Sequence, residues 1–213
     1  MICVALQESN VAKCLQILKS VEMAEIRIDL AKLSEADVAQ IFAQSPVQLI
    51  ATCRPDNYTD EQRLALLKTA ITSGAAFVDI EIESKPAFTK ELVAYAQQHG
   101  TKVIISYHNF EQTPSALELA AIVQSCYDCG ADVAKIATMI NNVQDNARLL
   151  ALYDTEKKVV ILGMGQLGKI TRVMAPFLGS PFTFAALNDA STTAPGQITV
   201  DRLKEIKIQF LKL

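Results

Sequence analysis

Lys135 lies in the middle of the apolar run Ala131-Asp132-Val133-Ala134-Lys135-Ile136-Ala137, where an amine must be either paired or used. Burial disfavours the ammonium form, and an amine with some neutral population can attack a carbonyl and form an iminium. His108, closing Val103-Ile104-Ile105-Ser106-Tyr107-His108, is the second candidate, because an imidazole can take up and return a proton near neutral pH. The other histidine, His99, falls at a predicted helix end. Charged residues also stand on neighbouring short apolar runs: Glu25, Arg27 and Asp29 in AEIRIDL, Arg54 closing LIATCR, Asp79 and Glu81 in FVDIEIE. These types together describe a Schiff-base or acid–base site. The alternative is an internal salt-bridge network that only fixes the fold, with Lys135 paired to Asp79 or Glu81.

Side chains alternate along a strand, so residues of equal parity share a face. Glu25, Arg27 and Asp29 then lie opposite Ala24, Ile26 and Ile28, and Asp79 and Glu81 lie opposite Val78, Ile80 and Ile82. Ser106 and His108 follow Ile104, and Lys135 sits with Val133 and Ala137. Eight strands are predicted, at Ile2–Leu6, Ala24–Ile28, Gln48–Cys53, Phe77–Ile82, Lys102–Tyr107, Asp132–Ala137, Lys158–Gly163 and Phe182–Ala186. Eight helices alternate with them; Glu61–Thr72, Pro86–His99, Ser115–Asp128, Asn141–Tyr153 and Val200–Leu211 repeat apolar residues three and four apart. Gly74, Gly100 and Gly130 follow helical stretches, where a left-handed residue is wanted. This alternation means a parallel α/β architecture. A doubly wound sheet buries both strand faces and needs nearly continuous apolar strands. Strands with one apolar face and one charged face suit a single (β/α)8 barrel, whose charged residues converge at the C-terminal mouth.

The 213 residues are read as one domain, 1–213, since no linker, charge block or low-complexity tract divides them. Half of them are hydrophobic and the net charge is −3, which gives no electrostatic reason to expect nucleic acid or an anionic membrane as partner. No apolar run approaches the roughly 18 residues of a membrane span, and MICVALQESN lacks the pattern of a secretory signal. Five cysteines, an odd number, suit free thiols in a reducing cytoplasm.

Several segments together resemble the type I 3-dehydroquinate dehydratases. They are Glu25-Ile26-Arg27-Ile28-Asp29, Arg54, Asp79-Ile80-Glu81, Ser106-Tyr107-His108, the run around Lys135, Met164 through Arg172, Gly179-Ser180 and Ala194-Pro195-Gly196-Gln197. The likeness is collinear over nearly the whole chain. It implies a TIM barrel in which Lys135 forms an imine with the ketone of 3-dehydroquinate. His108 would then move the protons that carry it to 3-dehydroshikimate, on the shikimate route to aromatic amino acids. Glu25, Arg27 and Arg54 would hold the substrate hydroxyls, Arg172 its carboxylate, and Thr193 and Gln197 would close over the ring. Asp79, Glu81, Met164 and Phe184 would support the site. The resemblance implies no metal or dissociable cofactor, and it implies a homodimer.

The chain departs from the family pattern in places. Where the family has A-S-A-P-G-Q, it reads Ala190-Ser191-Thr192-Thr193-Ala194-Pro195-Gly196-Gln197, so Ser191 or Thr193 takes the serine's place, and adjacency favours Thr193. Pro55-Asp56-Asn57-Tyr58 replaces a Glu-Gly-Gly loop, Ala5 replaces a serine, and Asn109 replaces an aspartate. The chain opens directly on the first strand, so an N-terminal hairpin under the barrel is expected to be absent.

Two motifs are decoys on this reading. Gly163-Met164-Gly165-Gln166-Leu167-Gly168 matches G-x-G-x-x-G, but no acidic residue ends the next strand, so the glycines are expected to shape a loop beside the substrate. Cys126-Tyr127-Asp128-Cys129 has no second pair for zinc and sits at a predicted helix C-terminus, where the dipole disfavours thiolate. Two rival functions share some of these residues. A class I aldolase would also use a strand lysine but favours a phosphate loop after the last two strands. A sugar-acid binding barrel would need no nucleophile.

Overall fold

The computed structural model describes residues 1–212. Eight parallel strands are present: β1 Ile2–Leu6, β2 Met23–Arg27, β3 Gln48–Thr52, β4 Phe77–Glu81, β5 Lys102–Asn109, β6 Val133–Met139, β7 Val159–Met164 and β8 Thr183–Ala186. Their order, β7-β6-β5-β4-β3-β2-β1-β8, pairs β1 with both β2 and β8 and curls the sheet into a nearly closed (β/α)8 TIM barrel. This arrangement excludes the doubly wound sheet. Among the described residues no ladder joins β7 to β8; the Ser180 hydroxyl bridges that seam, 3.3 Å from the Val159 carbonyl and 2.8 Å from that of Phe182.

Nine α-helices are found among the described residues, one more than expected. They are α1 Val11–Leu18, α2 Ile28–Ala31, α3 Glu35–Gln44, α4 Asp60–Thr72, α5 Pro86–Gln98, α6 Ala116–Asp128, α7 Val143–Leu150, α8 Lys169–Met174 and α9 Val200–Phe210. The extra one is the single turn α2. It corrects the expected strand 24–28: β2 ends at Arg27, and Asp29 belongs to α2 rather than to the strand face. Asp29 nevertheless turns back to accept from Arg27, at 2.6 Å from Nη2 and 3.1 Å from Nε. The ion pair is made across a bend instead of along a pleat. Residues 151–153, expected to continue α7, form a 3-10 turn. The first strand is found at its predicted bounds, and the other predicted elements have ends shifted by at most two residues.

Helix starts are written locally. Ser34 with Asp37, Thr59 with Gln62, Ser115 with Glu118 and Asn142 with Asp145 form reciprocal capping boxes that satisfy backbone donors otherwise left free. Gly74, Gly100 and Gly130, just past helix ends, have φ of 105°, 72° and 95°.

The strand faces separate two apolar layers. Outward residues such as Ala24, Ile26, Val78, Ile80, Ala134 and Ile136 pack against the helices. Inward, Cys3, Met23, Ile50, Phe77, Ile104, Val133, Val160 and Phe182 form a dry floor, with the Phe77 and Phe182 rings edge to face at 5.7 Å. The charged residues stand above that floor on the same inward face, so the polar site rests on a packed base.

Candidate active site

The barrel register places the charged residues in tiers. Ser106 pairs with Lys135 across β5 and β6, Thr52 with Asp79 across β3 and β4, and His108 with Ala137 one tier higher. Lys135, 5% exposed, donates to Asp79 Oδ2 at 2.9 Å and to Glu25 Oε1 at 3.2 Å, and its Nζ lies 4.5 Å from the centre of the Phe184 ring. Of the two partners foreseen for it, Asp79 is correct and Glu81 is not; Glu25 takes the second place. Glu81 instead pairs with Arg54 at 3.2 Å, and Arg54 also reaches Asp79 at 3.0 Å.

Hydroxyls orient these carboxylates. Thr52 donates to Glu25 Oε1 at 2.9 Å, the oxygen that meets Lys135. Ser106 donates to Asp79 Oδ1 at 2.7 Å and accepts from Arg54 Nη1 at 3.3 Å, which leaves Oδ2 for the lysine. Burial pushes the Asp79 carboxyl up, but Arg54 and Lys135 outweigh it and hold the group below the usual carboxylate range. The cluster is therefore a hydrogen-bonded network of paired groups rather than a set of isolated buried ions.

His108 is half-buried, its Nδ1 is enclosed and has no hydrogen-bond partner, and its ring stacks on Phe110 with centroids 6.2 Å apart. Its pKa falls well below the ordinary imidazole value, chiefly because burial disfavours the cation, with Arg54 and Lys135 adding repulsion. A neutral imidazole at neutral pH is a base ready to accept.

Above Lys135 opens a cavity of about 280 Å³. Glu25, Arg27, Arg54, Glu81, His108, Lys135, Met164, Arg172, Phe184, Thr193 and Gln197 all line it, and Asp79 lies beneath its wall. Both signs of charge thus converge on one small space at the C-terminal ends of the strands. Arg172, on α8, is 1% exposed; its Nη1 donates to the Phe184 carbonyl at 3.4 Å, and its Nε has no partner. Burial alone pulls this guanidinium down to about 10, so it remains charged at neutral pH and has spare donors for an anion.

The segment 192–197 covers one side of the cavity. Thr193 N–H donates to Gln197 Oε1 at 2.7 Å, and Gln197 Nε2 donates to Thr193 Oγ1 at 3.0 Å. Ser191 instead bonds locally with Asn188, so Thr193 is the hydroxyl that faces the cavity. Six lining residues were given no site role from sequence: Pro55, Asp56, Phe110, Ala137, Leu162 and Ala194. Leu162 shares the inward parity of Val160 and Met164, which could have revealed it. Thr52, two residues before Arg54 on the same face, carried a similar signal.

The two decoy motifs have structural roles here. In the glycine run, a Cβ on Gly168 would lie 2.4 Å from the Gly163 carbonyl carbon, so the loop after β7 folds tightly on itself. Cys126 is buried and pushed up to about 12, chiefly by desolvation, as an inert core thiol should be.

Comparison with known proteins agrees with this architecture. A family model described as Type I 3-dehydroquinase matches residues 2–209. A 3-dehydroquinate dehydratase of Methanocaldococcus jannaschii is 40% identical over 220 residues, covering 97% of both chains. Among solved structures, the Aquifex aeolicus 3-dehydroquinate dehydratase has a TM-score of 0.84 at 28% identity, covering 100% of each chain. The Clostridium difficile type I enzyme, solved with covalently modified comenic acid, has a TM-score of 0.86 at 25% identity, covering 99% of this chain and 92% of its own. A whole-length family match, a near relative of equal length and a shared barrel agree: the chain belongs to the type I 3-dehydroquinase family.

Proposed function

We propose that this chain is a 3-dehydroquinate dehydratase, a hydro-lyase of aromatic amino-acid biosynthesis, and that it works through an imine on Lys135. The observation that carries the mechanism is the Lys135 amine, held by Glu25 and Asp79 at the base of a cavity whose wall carries a neutral His108. Arg172 with its unpartnered Nε suits the substrate carboxylate, and Glu25, Arg27 and Arg54 suit its hydroxyls. Thr193 and Gln197 cover the ring and exclude water. Glu81 holds Arg54 in place, while Met164 and Phe184 shape the apolar wall.

The steps balance with these groups alone. Lys135 passes a proton to His108, and its nitrogen attacks the ketone carbon. His108 returns its proton to the carbinolamine hydroxyl, which leaves as water; this gives an iminium, whose positive charge Asp79 and Glu25 continue to face, and a neutral His108. His108 takes the proton from the adjacent C–H, and the electron pair enters the enamine. The enamine expels the neighbouring hydroxyl, which leaves as water with the proton from His108. Water then hydrolyses the product iminium and restores Lys135. The iminium is the electron sink, so the scheme calls for no metal. Five free cysteines suit the cytoplasm, and the family likeness suits a homodimer with all 213 residues in one domain, testable by light scattering.

Borohydride reduction in the presence of 3-dehydroquinate, followed by intact mass and peptide mapping, tests the reading. The expected result is a ligand-sized increment on Lys135, lost in Lys135→Ala. Turnover without any adduct would remove the imine mechanism. Ligand binding without turnover would leave a sugar-acid binding barrel.

A further inference from the structure

The loop after β7 and the segment 192–197 meet backbone to backbone. Gly165 has φ +79° and Gly196 φ +76°, a region that L side chains rarely adopt. A Cβ built on Gly196 would lie 2.2 Å from the Gly165 carbonyl oxygen and 2.8 Å from its carbonyl carbon, far inside contact distance. Beside this crossing, the Gly165 N–H donates to the Pro195 carbonyl at 3.2 Å. The segment is tied at its far end as well: Ala186 N–H donates to the Ile198 carbonyl at 3.0 Å, and Ala186 bridges Thr199. The two flanking residues whose side chains reach the cavity, Thr193 and Gln197, bond to each other.

We propose that Gly165 and Gly196 are positioning residues: their close crossing registers the covering segment on the β7 loop and so sets Thr193 and Gln197 over the bound substrate. The role in catalysis rests on the dehydratase reading above; the crossing itself does not. Any side chain at 196 must displace the segment or the β7 loop, because the obstructing atoms are backbone and cannot rotate aside. Met164, next to Gly165, lines the cavity, so a shift on either side of the crossing reaches the substrate. The second glycine of the dinucleotide-like run thus acquires a purpose the motif did not suggest.

The test compares Gly196→Ala with Gly100→Ala. Gly100 has a similar φ of +72° but nothing within 4 Å of its Cβ position, so it reports backbone strain without the crossing. Two readouts are taken. In the unliganded proteins, hydrogen exchange of the Gly165 amide is expected to accelerate at least tenfold in Gly196→Ala and to be unchanged in Gly100→Ala. In turnover of 3-dehydroquinate, Gly196→Ala is expected to raise KM at least tenfold with kcat within threefold, while Lys135 is still trapped at saturating substrate. Unchanged exchange would overturn the crossing as a latch. Accelerated exchange with an unaltered KM, or a loss confined to kcat, would overturn its role in positioning. A wild-type protein without dehydratase activity would sink the functional reading, and the exchange result would still decide the latch.

Discussion

A lysine between two carboxylates is ordinarily an ion pair; Lys135 differs because its remaining side faces the cavity and His108 across it. The two acids near Arg54 separate by burial. Asp79, 2% exposed, serves Lys135, Arg54 and Ser106 at once, while Glu81 is half-buried and serves Arg54. Asp79→Asn removes a charge that two buried cations use, and removing one partner of a buried pair costs about 3 kcal/mol or more. Its urea midpoint is expected to fall accordingly, and kcat by about 100-fold as the iminium loses a facing charge. Glu81→Gln is expected to cost under about 1 kcal/mol, as partly solvated pairs do. Equal effects of the two variants would mean that burial does not rank these acids. His108 carries a second expectation. Because burial and the neighbouring cations lower its pKa, it stays unprotonated down through pH 6.5. The acid limb of the kcat/KM profile therefore belongs below 6.5; a limb at or above that value would contradict a buried neutral base.

Strands were readable as short apolar runs; charged or polar residues recurring at a period of two on β2, β4 and β5, and the lysine on β6, mark the inward face. Lys135, Asp79 and Glu25 were found in this way. The same rule misplaced Asp29, because parity holds only while the strand lasts and Arg27, at φ −81° and ψ 80°, already turns the chain into α2. The crossing of Gly165 and Gly196 was not legible, since it joins loops 31 positions apart and depends on where both come to rest. Neither was the support for Arg54. Arg63, on α4 and 3% exposed, donates from Nε to the Cys53 carbonyl at 3.0 Å and lies 4.3 Å from the Phe88 ring centre. In a helical pattern it resembles any surface arginine. Its buried hydrogen bond and cation–π contact predict a loss of about 2–3 kcal/mol for Arg63→Ala, measured by denaturant unfolding. KM is expected to rise as well, because the carbonyl it holds precedes Arg54.

At the scale of the molecule, folding concentrates charge inside a chain whose net charge is only −3. The barrel admits this because its floor is apolar and its charged tiers pair opposite signs, with Asp79, Glu25 and Glu81 against Lys135 and Arg54. Stability should therefore depend on pH in two separate windows. His108 has a folded pKa depressed below 6.5, so between the two values the unfolded chain binds a proton that the folded chain does not. Stability falls as pH drops from 6.5, with a slope of up to about 1.4 kcal/mol per pH unit. Asp79 is also depressed, and its contribution is lost only below its ordinary value of 3.8. Glu83, pushed up by burial from 4.5, opposes the loss just above that value. Urea unfolding midpoints between pH 7.5 and 5 should then decline in the wild type and stay nearly level in His108→Gln, which carries no titrating group there. Parallel declines in both proteins would assign the acid sensitivity to other groups, and His108 would no longer account for it.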